Sequence, residues 1–480
     1  MFIDVIVAEV GSTTTVVNGF NGIDTDNPQF IGQGQAPTSV GIGDVTIGLS
    51  AAIEDLQKNL NISELKYGKM LGASSAAGGL KMTVHGLVYD MTAKAAKEAA
   101  LGAGAIVHNV TAGRLRRTDL EKIKNIKPNI ILIAGGLDYG ERETALDNAE
   151  MILSLNLDIP VIYAGNCENK EEIKLIFENY KGKLYIADNV YPKIDILNVE
   201  PTRKIIQDVF EEHIVHAPGM SKVKEMINGT IIPVPGAVME AAKILREEIG
   251  DLIVLDVGGA TTDLHSVTED SEEIARILIN PEPIAKRTVE GDLGMFVNMR
   301  NVLERIGKEK IEQELGFSID TILENFKPIP QSENEIKFVE KLCLEAVLTA
   351  VERHAGARRF MYGTSGRKTY AEGKDLTQVE YIIGTGGALT RLPGGRDIMS
   401  KIAKNSKEIG LYPSEQAKIL IDKWYIMSSL GVLAKEHPES ALILLKRSLD
   451  VEGIKKIKKK IIKADSKEEA EIVESCTLKG

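Results

Sequence analysis

Apolar residues in this chain alternate between short strand-like runs and longer helical stretches. Residues 3–8 are rich in Ile and Val and lead into Glu9, Gly11 and a run of Ser and Thr, after which apolar residues resume. Two apolar strands joined by a small polar turn with glycine are typical of a β-hairpin. The same arrangement recurs at 252–267 in LIVLDVGGATTDLHSV. The pattern therefore predicts two hairpins of one kind, far apart in the sequence.

The segment between these hairpins reads as alternating strands and helices. NIILIAGG, starting at Asn129, is an apolar strand that ends in glycines, ETALDNAEMILSLN is helical, and IPVIYAGN is a second strand. This order predicts a β-α-β unit with parallel strands. The later segment GAVMEAAKILREEIG predicts an amphipathic helix that ends at Gly250.

Helical periodicity dominates after the second hairpin. Residues 296–355 are predicted to be mostly helical. One face of the last predicted helix there is apolar and consists of Ile336, Val339, Leu342, Cys343, Ala346, Val347 and Ala350. VEYIIGTGGALTRLP then predicts a strand that runs into glycines and the start of a helix.

The pattern predicts an α/β protein built from two related halves, each opening with a hairpin, with the two turns facing each other across a cleft. We expect a first domain at 1–250 with an inserted β-α-β subdomain at about 80–200, and a second domain at 251–435 with a helical insertion. The remaining residues, 436–480, are predicted to form a charged helical extension. A homo-oligomer is compatible with this organisation.

Composition excludes several classes of function. The 480 residues are 43% hydrophobic and 26% charged, which is ordinary for a soluble globular protein. A net charge of −11 provides no basic field for a phosphate backbone, so no nucleic-acid partner is expected. No apolar run reaches the ~20 residues of a membrane span, and a signal peptide is not recognised, so we predict a cytoplasmic protein. Cys167, Cys343 and Cys476 lack the spacing of a disulfide framework or a metal site.

The small polar turns have the composition of phosphate-binding loops. Glycine lets the backbone approach a phosphate, Ser and Thr add donors, and a nearby acid organises Mg²⁺. The first turn offers Glu9, Gly11, Ser12, Thr13 and Thr14, and the second offers Asp256, Gly258, Gly259, Thr261, Thr262 and Asp263. In the third element, Gly384, Gly386 and Gly387 would let an adenosine lie against the backbone at a helix start. No GxxxxGK[ST] loop is present, so phosphates would be held between hairpins.

The order of these three elements resembles that of the actin, sugar-kinase and heat-shock-ATPase superfamily, in its phosphate-1, phosphate-2 and adenosine motifs. Within it, VAEVGSTTTVVN, LGASSAAGGLKMTVHGL, LDVGGATTDLHSV, RTVEGDLGM and GTGGALTRL resemble the MutL/GlmL family, the accessory proteins of adenosylcobalamin-dependent glutamate (methylaspartate) mutase. The resemblance extends over almost the whole chain and weakens in the last forty or so residues.

The resemblance implies two ribonuclease-H-like, actin-type ATPase domains that close on Mg·ATP. Glu9 takes the place of the phosphate-1 acid, which is usually Asp, and Asp256 takes the place of the phosphate-2 acid, so both are expected at the metal and in catalysis. Thr261 and Thr262 match hydroxyls near the terminal phosphate, and Gly258 and Gly259 match backbone donors. Such a set is sufficient for slow hydrolysis.

The implied function is that of an ATP-binding and ATP-hydrolysing chaperone that reactivates or assembles a cobalamin-dependent mutase. Its implied partners are the subunits of that mutase. Two alternatives share the fold: a small-molecule kinase, and an ATPase subunit like that of a hydantoinase or oxoprolinase. A non-catalytic actin-like scaffold is a further alternative.

Several other residues allow a functional and a plain structural interpretation. Lys81 is either a phosphate-binding cation or a surface lysine, and 290–294 either closes the site or caps a helix. The cluster of Arg114, Arg116 and Arg117 is either a solvated loop or an anion site. The lysine-rich segment after residue 453 is either a solvated amphipathic helix or a helix that docks on a partner. The histidines have no carboxylate or Cys at ligand spacing.

Overall fold

The computed structural model describes residues 1–75, 80–217, 219–363, 366–404 and 409–453. Part of the small-residue run at 74–79 and the lysine-rich end of the predicted extension, with Cys476, lie outside the described residues.

The described strands, in chain order, are β1 (Phe2–Val10), β2 (Thr14–Asn21), β3 (Gln29–Pro37), β4 (Lys66–Ser74), β5 (Lys81–Gly86), β6 (Ile106–Ala112), β7 (Ile130–Ile133), β8 (Val161–Tyr163), β9 (Leu184–Ile186), β10 (Ile231–Pro233), β11 (Leu252–Val257), β12 (Thr262–Val267), β13 (Ala285–Glu290), β14 (Ala357–Gly363), β15 (Gly366–Glu372), β16 (Tyr381–Thr385) and β17 (Lys418–Ile421).

The described α-helices are α1 (Val45–Asn59), α2 (Lys94–Gly102), α3 (Arg117–Ile126), α4 (Glu143–Leu153), α5 (Lys170–Ile176), α6 (Glu200–His213), α7 (Val223–Met226), α8 (Val234–Ile249), α9 (Glu272–Ala275), α10 (Met299–Ile306), α11 (Lys308–Leu315), α12 (Asp320–Glu324), α13 (Glu333–His354), α14 (Gly387–Thr390), α15 (Gly395–Lys404), α16 (Met427–Leu433) and α17 (Pro438–Ser448).

Two five-stranded sheets of identical connectivity confirm the predicted duplication. The first has the order β10-β4-β1-β2-β3 and the second has the order β13-β12-β11-β16-β17. In each sheet the opening hairpin and the next strand are antiparallel, whereas the remaining two strands run parallel to the first. This is the ribonuclease-H-like connectivity of the actin-type ATPase fold, so the predicted fold class is confirmed.

A third sheet is inserted into the first half. It has the order β6-β5-β7-β8-β9, and all of its strands are parallel. The predicted β-α-β unit corresponds to β7, α4 and β8, which place Ile131 opposite Val161. Parallel strands need such crossover connections, so the alternation of strand and helix in the sequence led to the correct pairing.

Helices fill the space between the two duplicated sheets. α8 packs against α16 and α17, and apolar residues of all three share one core with β1 and β11. A Cβ on Gly431 of α16 would lie 1.8 Å from the Ala237 carbonyl oxygen of α8, so only glycine allows these helices to approach so closely. Leu444 and Leu445 are buried in the same core. The start of the predicted extension at 436–480 is thus packed between the halves, while the domain boundaries stay a prediction.

The second half carries the helical insertion α10 to α13. α13 begins with a capping box, in which Ser332 accepts the Glu335 N–H and the Glu335 side chain accepts the Ser332 N–H at 2.9 Å. Its 22 residues make it roughly 33 Å long. Six of the seven predicted apolar-face residues are buried, and Ile336 lies at the cavity described below. Among the described residues, no helix combines the length and apolar character that crossing a bilayer requires.

Candidate functional site

The turns of the two hairpins adopt the same local structure. In the first, the Gly11 N–H donates to the Thr14 carbonyl at 3.0 Å, and in the second the Gly258 N–H donates to the Thr261 carbonyl at 3.0 Å. A Cβ built on Gly11 would lie 2.7 Å from the Thr14 oxygen, which explains the glycine there. The predicted duplication therefore extends to the hydrogen bonding of the turns.

The two turns face each other across a cavity of about 850 Å³. A Cβ built on Gly259 would lie 3.6 Å from the Thr13 hydroxyl oxygen, so the turns approach to contact distance. Eleven of the predicted residues line the cavity: Glu9, Gly11, Ser12, Thr13, Thr14, Asp256, Gly258, Gly259, Thr261, Asp263 and Gly387. The sequence thus identified residues from both halves that the fold brings together.

Three predicted residues do not line the cavity. The buried Thr262 hydroxyl donates to the Leu293 carbonyl at 2.6 Å, so it is occupied within the second half and is not directed at a phosphate. Gly384 lies under the side chains of Ile421, Leu389 and Met399. Strand alternation accounts for Thr262, because adjacent residues of a strand point to opposite faces and Thr261 takes the cavity side.

Gly386 makes a close approach to β11 that the sequence analysis did not predict. Its φ is +83°, and a Cβ there would lie 2.5 Å from the Val257 carbonyl oxygen and 2.6 Å from an Asp256 carboxylate oxygen. Only glycine permits this approach, which seats the start of α14 beside the end of β11. Gly387, the next residue, faces open space in the cavity.

Asp256 is the acid without a partner in this site. Within the described part of the chain, its carboxylate makes no hydrogen bond and no ion pair. Burial and the neighbouring carboxylates of Asp263 and Glu9 raise its pKa well above the usual 3.8. An excess of negative charge at the rim of a cavity favours a cation.

Glu9 is held by residues that sequence reasoning missed. The Ser428 hydroxyl donates to one carboxylate oxygen, and the Tyr425 hydroxyl lies 3.5 Å from the other. Burial raises the pKa of Glu9, while the hydrogen bond from Ser428 opposes that rise. Both contacts come from the segment just before and within α16, more than 400 residues away in the chain. No local sequence pattern signals this contact.

Asp422 organises the segment that reaches Glu9. Its carboxylate accepts from the Thr385 hydroxyl at 3.0 Å, the Ser448 hydroxyl at 2.5 Å and the backbone N–H groups of Ile426 and Met427 at 2.9 Å. These bonds fix the start of α16 against the end of β16. The only sequence signal is an acid directly after the strand β17.

Asp263 and Arg287 form a buried ion pair at the wall of the cavity. Arg287 Nη2 lies 2.6 Å from an Asp263 oxygen, and Arg287 Nη1 donates to the carbonyls of Leu101 and Ala105 at 3.1 Å. The Thr261 hydroxyl donates to the other Asp263 oxygen at 3.1 Å. Thr261 therefore presents lone pairs to the cavity, and Arg287 joins the second hairpin to the inserted subdomain. The sequence analysis assigned no role to Arg287, although this residue begins the motif RTVEGDLGM.

The acidic segment at 290–294 lies against the second turn. A Cβ on Gly294 would lie 2.3 Å from the Ala260 carbonyl oxygen, and the Met295 N–H donates to the Gly258 carbonyl at 3.1 Å. Arg353 at the end of α13 holds Asp292 through two hydrogen bonds of 2.7 and 2.9 Å and also contacts Glu290. The segment thus links α13 to the turn.

The remaining candidates lie away from the cavity lining. Lys81 starts β5, and its neighbour Leu80 lines the cavity in its place. Arg114 pairs with Asp147 on the surface at 2.8 Å. The far end of the cavity is apolar, with Phe296 and Phe326 stacked at 5.8 Å beside Ile336 and Leu392.

The described residues suit a magnesium ion held partly by a bound phosphate. They contain no cluster of three or more His, Cys, Asp or Glu side chains that would hold a metal alone. Mg²⁺ commonly uses one or two carboxylates together with substrate phosphates and waters. Asp256, which lacks a partner, and Glu9 meet that requirement.

Comparison with known proteins identifies close relatives in sequence. The family model described as MutL protein matches residues 5–449. The chain is 37% identical over 459 residues to Protein MutL of Clostridium tetanomorphum, covering 92% of this chain and 98% of that one.

Solved structures are similar at lower identity. A diol dehydratase-reactivating factor in nucleotide-free form aligns with a TM-score of 0.38 and 10% identity, covering 90% of this chain and 99% of that one. A nucleotide-free acetone carboxylase aligns with a TM-score of 0.37 and 14% identity, covering 90% of this chain and 70% of that one.

Proposed function

Because this chain belongs to the MutL protein family, we propose that it is an ATPase that binds Mg·ATP between its two hairpin turns and serves an adenosylcobalamin-dependent mutase of the glutamate mutase type. One observation carries the nucleotide proposal. Two turns of identical hydrogen bonding, one from each duplicated half, meet at a cavity where Asp256 has no partner among the described residues.

In this proposal the two turns hold the phosphates. Backbone N–H groups of the turns that follow Gly11 and Gly258, with the hydroxyls of Ser12 and Thr13, are the donors for the phosphates at the cavity. Magnesium, when bound, neutralises phosphate charge and so favours attack at phosphorus. Glu9 and Asp256 hold it, and Ser428 keeps the Glu9 carboxylate in place. The base moiety occupies the apolar end beside Phe296 and Leu392.

Asp263 is not free to remove a proton from the attacking water in this arrangement. Both of its oxygens accept hydrogen bonds, from Arg287 and Thr261. The site therefore accelerates hydrolysis mainly by positioning the nucleotide and stabilising charge on its phosphates, which is sufficient for a slow rate. A slow cycle is appropriate for a protein whose hydrolysis accompanies a change in a partner.

The mutase role rests on coupling between the cavity and the rest of the fold. The site is assembled from both halves, so an occupied cavity favours the closed arrangement and an empty one allows opening. Arg287 extends the contact from the second turn to the end of α2 in the inserted subdomain. Closing of the cavity thereby moves a surface that lies outside it. The mutase contacts that surface.

The experiment is phosphate release by the full chain, alone and with the subunits of a cobalamin-dependent mutase carrying inactivated cofactor. We expect slow hydrolysis that the mutase stimulates, and ATP-dependent recovery of mutase activity. Asp256→Asn should abolish both effects. Hydrolysis that responds to no mutase, combined with phosphorylation of a metabolite, would contradict the mutase role and favour the kinase alternative.

A further inference from the structure

β14 and β15 form a two-stranded ribbon that the sequence analysis did not predict. It pairs Ala357 with Glu372 at one end and Gly363 with Gly366 at the other. Bridges to the rest of the described chain occur only at its base, where Ala357 pairs with Gly410 and Ala371 pairs with Leu278. Beyond the base, the described residues of the two strands pair only with each other.

The outer part of the ribbon exposes large apolar side chains. Tyr362 is 80% exposed, Met361 is 60% exposed and Phe360 is 40% exposed. Three consecutive residues of this size on a free ribbon are unusual for a surface that stays in water. Exposed Ile279 and Ile409 adjoin the base through backbone hydrogen bonds to β15 and β14.

The ribbon is also basic, although the chain as a whole is acidic. Its described residues include the cations Arg358, Arg359, Arg367 and Lys368. Arg358 pairs with Glu273 at 3.3 Å and Arg359 pairs with Glu372 at 3.4 Å, so Arg367 and Lys368 give the ribbon its excess positive charge in a chain of net charge −11. The Arg367 guanidinium lies 4.2 Å from the centre of the Phe360 ring. Aromatic residues, Met and Arg together are the composition enriched in protein–protein interfaces.

The two ends of the ribbon connect to elements that line the cavity. β14 follows directly from α13, whose other end carries Ile336 and Val339 at the apolar part of the cavity. After β15 the chain continues into β16 and then Gly387, which also lines the cavity. The ribbon therefore lies at the far end of a helix that contacts the site, roughly 33 Å long.

We propose that the described residues of the ribbon, 357–363 and 366–372, form a docking arm for an acidic protein surface that also presents an apolar strip, and that this surface belongs to the mutase. This proposal rests on the function proposed above. A protein fits better than nucleic acid or an anionic membrane, because a protein surface can present an apolar strip to Phe360, Met361 and Tyr362 beside acidic groups for the cations. Movement of α13 when the cavity is occupied would move the arm and its partner together.

The test compares two matched double variants of the full chain. The arm variant combines Tyr362→Ala with Arg367→Glu. The control combines Tyr139→Ala, at a tyrosine that is also 80% exposed, with Lys66→Glu at a lysine whose side chain is 68% exposed. Binding to purified mutase subunits is measured by interferometry with Mg·ATP present, and ATP binding is measured separately by calorimetry.

We expect the arm variant to bind the mutase at least about tenfold more weakly than the wild type, as loss of one interface hot spot would produce. The control should bind like the wild type, and all three proteins should bind ATP equally. Mutase binding by the arm variant that equals binding by the wild type would overturn the docking role of the ribbon. The proposed mutase role of the protein would then stand. A wild-type protein that binds ATP but no mutase would overturn both proposals.

Two further outcomes would assign the ribbon to another occupant and overturn the proposal. One is self-association of the wild type in sedimentation that the arm variant loses, which would point to a second copy. The other is arm-dependent binding to phosphatidylserine vesicles, which would point to a lipid surface.

Discussion

Replacement of Asp256 by Asn should stabilise the nucleotide-free protein while it abolishes hydrolysis. The carboxylate has no partner in the described part of the chain, and Glu9, Asp263 and Asp422 all disfavour its ionised form. The opposing charge of Arg287 is already bound to Asp263. Asn keeps the shape of the side chain and removes the charge. A residue whose charge destabilises the empty protein and is needed for activity is typical of a functional site.

The expected gain in the free energy of unfolding of Asp256→Asn follows from the burial of the wild-type carboxylate. An unsatisfied buried polar group costs about 1–3 kcal/mol, and the partial exposure of Asp256 at the cavity places it near the lower end, about 1 kcal/mol. For halves of this size, about 1 kcal/mol corresponds to roughly 2–4 °C in Tm. Mg·ATP should raise the Tm of the wild type and have a much smaller effect on the variant.

The gain in stability of Asp256→Asn over the wild type should increase with pH. Below the usual pKa of 3.8 the carboxyl group is protonated in both the folded and the unfolded states, so the substitution changes little. Because folding raises this pKa, the penalty grows as the pH rises from there and becomes constant above the folded pKa. The difference in Tm should therefore be small near pH 4, grow as the pH rises and become constant above the folded pKa.

The assay is thermal unfolding of wild type and Asp256→Asn without nucleotide, from pH 4 to pH 8, with phosphate release measured on the same preparations. A variant that is less stable than the wild type at pH 8 would show that the carboxylate has a stabilising partner. An unchanged hydrolysis rate would remove Asp256 from the site.

Three other substitutions test separate parts of the account. Gly387→Val should leave the fold intact, because a Cβ there meets nothing within 4 Å, but it should weaken ATP binding at least tenfold in calorimetry by filling the cavity. Gly431→Val should prevent folding into soluble protein, since its Cβ would lie 1.8 Å from the Ala237 oxygen; normal yield would refute the close helix packing. Arg287→Met should lower the free energy of unfolding by about 3–5 kcal/mol, measured by urea unfolding, because it leaves the carboxylate of Asp263 buried and unpaired. Adding Asp263→Leu to the same chain should recover most of that loss.

Local sequence patterns predicted much of this fold because its signals are short-range. The two hairpins, the β-α-β unit and the long helix α13 each depend on periodicity within about twenty residues. The repeated turn then indicated the duplication, and the duplication indicated which residues face the cavity. Glu9, Thr13, Asp256 and Gly259 were all found in this way.

Residues that act through long-range contacts could not be predicted. Ser428 contacts Glu9 across 419 residues, and Arg287 reaches Leu101 across 186. Such pairs depend on how the halves pack, which no local pattern encodes. The placement of Thr262 failed for a different reason. Adjacent threonines look alike in sequence, but the strand turns one to the cavity and the other to the Leu293 carbonyl.

The ribbon was missed because its sequence reads as polar and irregular. Its cations and its apolar residues stand in consecutive runs, Arg358-Arg359 and then Phe360-Met361-Tyr362, so no apolar period of two indicates a strand. Its two strands pair mainly with each other, and the stabilising contacts at the base come from Leu278 and Gly410, distant in the chain.

Calorimetric titration of the full chain with ATP in the presence of Mg²⁺ tests the central claim most directly. The account predicts one ATP bound per chain, loss of that binding in Gly387→Val, and unchanged binding in Tyr139→Ala. Absence of binding by the wild type, or equal binding by Gly387→Val, would contradict a nucleotide site between the two hairpin turns.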